Sequence, residues 1–122
     1  MNRLNALLGL KEEVGMQDWD IELADPERVQ EFCSAYRNQI EDEDEKFTLM
    51  TLIVASYDDY LSASGHNPAL WNEISELLKK DMTLHLDTLE YWAVFEEENP
   101  EHYYEITPYV REVWNSAHKN QI

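Results

Sequence analysis

Three features of the 122-residue sequence predict an all-α fold, a compact single-domain bundle of five to six helices with short loops over residues 1–122. All four prolines follow a residue able to cap a helix: Asp25-Pro26, Asn67-Pro68, Asn99-Pro100 and Thr107-Pro108. Apolar residues recur at three- and four-residue spacing along most of the chain, and no segment alternates convincingly as a strand would. Apolar residues also make up 43% of the chain, enough to bury a core. A proline at the first helical position forfeits no hydrogen bond, while the preceding Asp, Asn or Thr oxygen accepts from the exposed amides. At least three of the four pairs are expected to open helices.

Taken in order, a first helix is expected over Arg3–Val14, with Gly9 weakening its middle. Trp19–Leu23 reads as a connector. After Pro26, Val29, Phe32, Cys33, Tyr36 and Ile40 form one helical stripe. The acidic run Glu41–Glu45 suits a first turn, where carboxylates favour the macrodipole. Phe47, Met50, Ile53, Val54, Tyr57 and Leu61 then make the next stripe, stopping near Ser64-Gly65, where glycine takes a left-handed cap. Leu70, Trp71, Ile74, Leu77 and Leu78 form the following stripe, closed by Lys79-Lys80. Beyond Asp81, Met82, His85, Leu89, Trp92 and Phe95 fit a helix, although Met82, Leu84 and Leu86 also alternate; helical neighbours favour the helix. Whether Asp81 starts that helix or continues the previous one is left open by the spacing. His102–Ile106 reads as connector, and Val110, Val113, Trp114 and Ala117 line the last helix, Pro108–His118.

Charge narrows the partners. The sequence holds 26 acids and 9 bases, a formal net charge of −17. Both halves are acidic: residues 1–60 carry 15 acids and 5 bases, residues 61–122 carry 11 and 4. Such a surface repels phosphate backbones and anionic lipids, which argues against direct nucleic-acid or membrane binding and for a basic protein or a cation. One cysteine, Cys33, allows no internal disulfide or thiolate zinc site, and its place on an apolar stripe makes it a small buried hydrophobe. No segment reads as a secretory signal or a spanning helix, so the reducing cytoplasm is the expected compartment.

The chemistry-bearing motifs are few. No Glu-x-x-His pair of a di-metal bundle occurs, Glu41–Glu45 lacks the glycine of a calcium loop, and three glycines build no phosphate cradle. Asp81 and His85 could share an ion four residues apart but read as a surface or capping pair; His66 is expected to face solvent. Asp18, Asp20, Glu22 and Asp25 alternate with Trp19, Ile21 and Leu23, as in a half-buried connector. No metal, no cofactor and no catalytic residue is therefore expected. What recurs is acid mixed with large aromatics: Tyr57-Asp58-Asp59-Tyr60, Tyr91-Trp92 with Phe95 and Glu96-Glu97-Glu98, and Glu101-His102-Tyr103-Tyr104-Glu105. Trp92 and Phe95 are at core spacing, whereas of adjacent Tyr103 and Tyr104 at least one should be exposed. Aromatics supply contact area at interfaces, and neighbouring carboxylates engage Lys and Arg.

The stretches IVASYDDY (53–60), LLKKDMTLHLDTLEYW (77–92) and ITPYVREVW (106–114) resemble small acidic all-α immunity proteins of bacterial toxin–immunity systems. The likeness is one of size, charge and helical style over the C-terminal part of the chain. It implies a tight stoichiometric complex with a cognate toxin domain and no catalysis. A cytosol-acting toxin is often a nuclease with a basic cleft, which an acidic face would cover. The expected contact residues are Asp58, Asp59, Tyr60, Glu96, Glu97, Glu98, Tyr103 and Tyr104, with Asp42, Glu43, Asp44 and Glu45 steering approach from a distance. A DNA mimic that occupies DNA-binding proteins, and an acidic regulatory adaptor, are the rival readings; oligomeric state is not legible.

Overall fold

The structure, a computed structural model, describes residues 6–10 and 23–119, and among these it is helical and without strands. Residues 6–8 are helical and Gly9 turns left-handed at φ 65°. The glycine thus interrupts the expected Arg3–Val14 helix, most of which lies outside the described residues, as do Asp18, Asp20 and Glu22. A 3₁₀ turn, Pro26–Arg28, leads into α1 (Val29–Asn38); α2 (Glu43–Ser64) and α3 (Pro68–Lys80) follow. A second 3₁₀ turn, Met82–His85, precedes α4 (Leu86–Ala93), and a third, Pro100–His102, precedes α5 (Thr107–Lys119).

The capping expected from sequence is present at three prolines. Asp25 accepts from Glu27 N at 3.0 Å, Asn67 from Leu70 N at 3.1 Å and Asn99 from Glu101 N at 3.0 Å. Asp42 does the same for Glu45 N at 3.0 Å, which places the acids 43–45 in the first turn of α2. Thr107 differs. Its hydroxyl turns backward, accepting from Tyr104 N at 3.1 Å and donating to Trp92 O at 2.7 Å, while Asp58 Oδ1 from α2 receives Ile106 N at 2.9 Å at the start of α5. Gly65 closes α2 at φ 83° and ψ −176°, a conformation essentially restricted to glycine rather than the left-handed helical cap.

Burial corrects the single stripe expected for α2. Leu49, Met50, Leu52, Ile53, Val54, Ala55, Ser56 and Tyr57 are all buried, so the middle of this helix is covered on every side. Ser56, the polar member, is satisfied by Asp25 N at 3.0 Å. α1 packs along α2 through Val29, Phe32, Cys33 and Tyr36, and α3 packs against α1 and α5. Ile40 is buried but lies beyond the end of α1, and Phe47 is only half-buried. Among the described residues, no helix is long and apolar enough to cross a membrane.

The corner between α3 and α4 overturns the surface pairing expected for Asp81 and His85. α3 ends at Lys80, and His85, at the end of the 3₁₀ turn, points inward with 0% exposure, on the same side as Leu89 and Trp92 of its stripe. Tyr36 Oη donates to Asp81 Oδ2 at 2.7 Å and lies 2.7 Å from His85 Nε2; Lys46 Nζ approaches Asp81 at 3.8 Å. The phenol has one proton, so with that proton on Asp81 the imidazole must donate from Nε2. His85 Nδ1 is then a buried acceptor without a partner. Burial and the Lys46 charge hold the imidazole down at about 4, against the opposing pull of Asp81. Because the folded protein takes up this proton later than the unfolded chain does, the contribution is full above about pH 6.5 and is lost as pH falls toward 4. Urea unfolding should show the native protein losing roughly 3 kcal/mol relative to His85→Gln between those pH values. A native–variant gap that stays constant with pH would contradict the sealed, neutral imidazole.

Candidate protein-binding face

The most distinctive surface is built where α4 ends. Val94 follows its last residue with φ 41° and ψ 56°, a left-handed conformation unfavourable to a β-branched side chain. Arg111 from α5 holds the turn. Its Nε donates to Ala93 O at 2.7 Å, one Nη to Val94 O at 2.8 Å and Glu97 O at 3.3 Å, and the other to Tyr103 Oη at 2.8 Å. The guanidinium also lies 4.3 Å from the centre of the Tyr103 ring. Carbonyls left open at a helix C-terminus are thereby satisfied by a cation, which the macrodipole also favours. Strain at such a backbone position costs on the order of 1–3 kcal/mol, a cost that several charge-assisted hydrogen bonds are able to offset.

On this frame stand exposed aromatics. Tyr91 is 51% exposed, Phe95 45% and Tyr104 38%; among the described residues the only other exposed large apolar side chain is Leu7. Tyr104 stacks on Tyr91 with ring centres 6.0 Å apart and leans on Trp92 at 4.7 Å, and Phe95 packs against Trp114 at 5.1 Å. Tyr91, Val94 and Phe95 with Glu90, Glu96 and Glu97 line a hollow of about 720 Å³. Glu97 Oε1 accepts from Asn99 N at 3.1 Å and lies 3.2 Å from His102 Nδ1. The amide bond, with His102 assisting, holds the Glu97 carboxyl below its ordinary range.

The expected contact residues divide among three places. Glu96, Glu97 and Glu98 follow Phe95 at the hollow, with Glu96 and Glu98 exposed and Glu97 half-buried. Tyr104 joins the exposed aromatics, while Tyr103 is half-buried and tied to Arg111. Asp58 is no outward-facing acid. It is half-buried, caps Ile106 N, and burial raises its carboxyl despite that hydrogen bond; Asp59 beside it is exposed. Tyr60 turns to another side, where it accepts from Asn67 Nδ2 at 3.1 Å and lines a groove with Val29 and Leu70. Asp42, Glu43 and Asp44 are exposed and Glu45 half-buried at the start of α2, roughly 20 Å along the helix from Asp58 at 1.5 Å per residue.

Glu90 and Arg111 stand out in no sequence motif, and Tyr91 and Phe95, although part of an acid–aromatic segment, are not among the expected contact residues. The core position expected for Phe95 assumes that α4 continues, whereas Val94 turns the chain and leaves Phe95 half in solvent. Among the described residues, no group of three His, Cys, Asp or Glu side chains is placed to hold a metal ion. Burial pushes the Cys33 thiol up to about 12. His66, expected in solvent, is exposed but stacks on Tyr109 at 4.3 Å and lies 3.0 Å from Tyr57 Oη through Nδ1. No protein family, curated protein or solved structure matches this chain.

Two substitutions probe the frame. Arg111→Met should destabilise the protein by about 3 kcal/mol, because buried carbonyls lose a charged donor. Val94→Asn should instead stabilise it by about 1 kcal/mol, since asparagine tolerates the left-handed region. Chemical denaturation of both variants reads these effects. Destabilisation by Val94→Asn would show that Val94 packing outweighs its backbone strain.

Proposed function

We propose that this chain is an immunity-type inhibitor, which binds a basic, cytosol-acting toxin domain of nuclease-like character and covers its active site. The observation that carries the reading is the grouping of Tyr91, Phe95 and Tyr104, exposed together and bordered by Glu90, Glu96 and Glu97, on a molecule of net charge −17. Large aromatics at the centre of a contact supply most of its short-range energy, and flanking acids select and orient a basic partner. A surface that combines the two suits one protein partner better than a series of phosphate-binding grooves. Asp59 and Glu98 extend the acidic border, and Asp42, Glu43, Asp44 and Glu45 act at longer range, through the rate of approach. The resemblance in size, charge and helical style to bacterial immunity proteins supports the same reading, and the bacterial cytosol is its natural setting.

The test is affinity capture from the native host, followed by reconstitution with the captured protein. A single basic partner should bind one to one and lose its toxic activity. Tyr91→Ala with Phe95→Ala should weaken that complex by at least about a hundredfold, within the range of interface hot spots. Raising the salt from 0.1 to 1 M should slow association, as the screening length falls from about 10 to 3 Å. Capture of several unrelated DNA-binding proteins, indifferent to the two aromatic substitutions, would replace this reading with DNA mimicry.

A further inference from the structure

We propose that the hollow between Tyr91 and Phe95 is an arginine-acceptor subsite, taking a guanidinium side chain of the basic partner. The inference rests on the protein-binding reading of this face and specifies its chemistry. Tyr91 and Phe95 stand four residues apart, separated by the left-handed turn at Val94, and each residue is about half exposed. Ring faces attract cations, and a planar guanidinium stacks on them where a compact, strongly hydrated ammonium does not.

The carboxylates complete the match. Glu90 and Glu96 line the same hollow, and neither is engaged by an ion pair or hydrogen bond among the described residues. Glu97 is held in place through Oε1 by Asn99 N. One held and two unengaged carboxylates beside aromatic surface offer the forked pairing that arginine makes with carboxylates.

The same turn already accommodates a guanidinium on its inner side. Arg111 lies 4.3 Å from the centre of the Tyr103 ring and 5.8 Å from that of Phe95 while donating to three carbonyls. That one charge does not neutralise the surroundings, because residues 82–118 contain eight acids and no base other than Arg111. A second copy of the chain would bring a further −17 to the face, and phosphate groups would meet carboxylates. A cationic, planar group is the occupant these features favour.

Titration of the full chain with acetyl-Gly-Arg-Gly-amide and with its lysine counterpart, followed by aromatic ¹H–¹³C NMR, tests the proposal. The arginine peptide should shift the Tyr91 and Phe95 ring signals at least about threefold more than the lysine peptide does. Glu90→Gln with Glu96→Gln should reduce the arginine-induced shifts severalfold, and Phe95→Leu should remove those at Tyr91. All three side chains are exposed, so these variants leave the core intact. Equal shifts with both peptides, or shifts spread over acidic residues elsewhere, would overturn the subsite. A partner whose binding needs Tyr91 and Phe95 yet tolerates loss of its own arginines would also overturn it while leaving the inhibitor reading in place. Arginine-specific shifts together with a partner that docks elsewhere would keep the guanidinium selectivity of the hollow but reject this face as the contact of the inhibitor, and with it the assignment of the subsite to that partner.

Discussion

The middle of α2 sets the problem that the rest of the fold answers. From Leu52 to Tyr57 every residue is buried, so this helix must be enclosed by the others rather than lie against one neighbour. Enclosure has a polar cost, because any donor or acceptor in that stretch is cut off from water. The chain meets that cost with side chains that also fix their surroundings. Ser56 receives the amide of Asp25 and so ties the entry to α1. Tyr57 Oη accepts from Asn67 N at 3.0 Å while its ring packs between Tyr60 and Trp71. Asp58, one position further, receives Ile106 N and sets the start of α5. Three consecutive side chains therefore position the α1 entry, the α2–α3 turn and α5.

α5, fixed in this way, carries Arg111 to the end of α4, and the acid-bordered aromatics depend on that placement. Without a donor at Ala93, Val94 and Glu97 the left-handed Val94 would have little to hold it, and the chain would be free to extend α4 by another turn. Phe95 would then rotate about 100° around the helix axis from its predecessor and follow the core stripe instead of solvent. The exposure of Phe95 is therefore a product of long-range structure. A strongly acidic protein also has reason to keep one arginine here, since a guanidinium serves several carbonyls and an aromatic ring at once and stays charged at any physiological pH.

That dependence explains what the sequence could and could not disclose. The turn leading into α1 and the start of α3 were legible because a cap is a local event: Asp25 and Asn67 act on amides two or three residues away, and the start of α2 showed in the acidic run 41–45. The helical class followed from spacing. The full burial of α2 was less legible, since periodicity marks the more apolar side of a helix and cannot reveal that the other side is also covered. Two spacings pointed His85 in different directions: the stripe with Leu89 and Trp92 turns it inward, where it lies, while its distance of four residues from Asp81 suggested a surface or capping pair. In the acid–aromatic segments the residue types were informative but their directions were not. Asp58 and Tyr60 are two residues apart, about 200° around α2, and so serve different neighbours. Val94 gives no local sign of its left-handed backbone, because the hydrogen bonds that impose it come from a residue 17 positions later.

Asp42, Glu43, Asp44 and Glu45 do not line the Tyr91–Phe95 hollow, and this bears on how the proposed complex would form. Charges far from a contact act before the partners touch and mainly change the association rate, whereas close packing and desolvated pairs govern how long the complex lasts. An evenly acidic surface alone would attract basic proteins without choosing among them. A rigid aromatic hollow alone would choose but would meet its partner slowly. Here the acids are spread over both halves of the chain, while among the described residues the exposed aromatics Tyr91, Phe95 and Tyr104 are grouped near the turn held by Arg111. Under the inhibitor reading this division is physically economical: charge over the whole molecule promotes encounter, and a few ordered side chains determine which encounters persist.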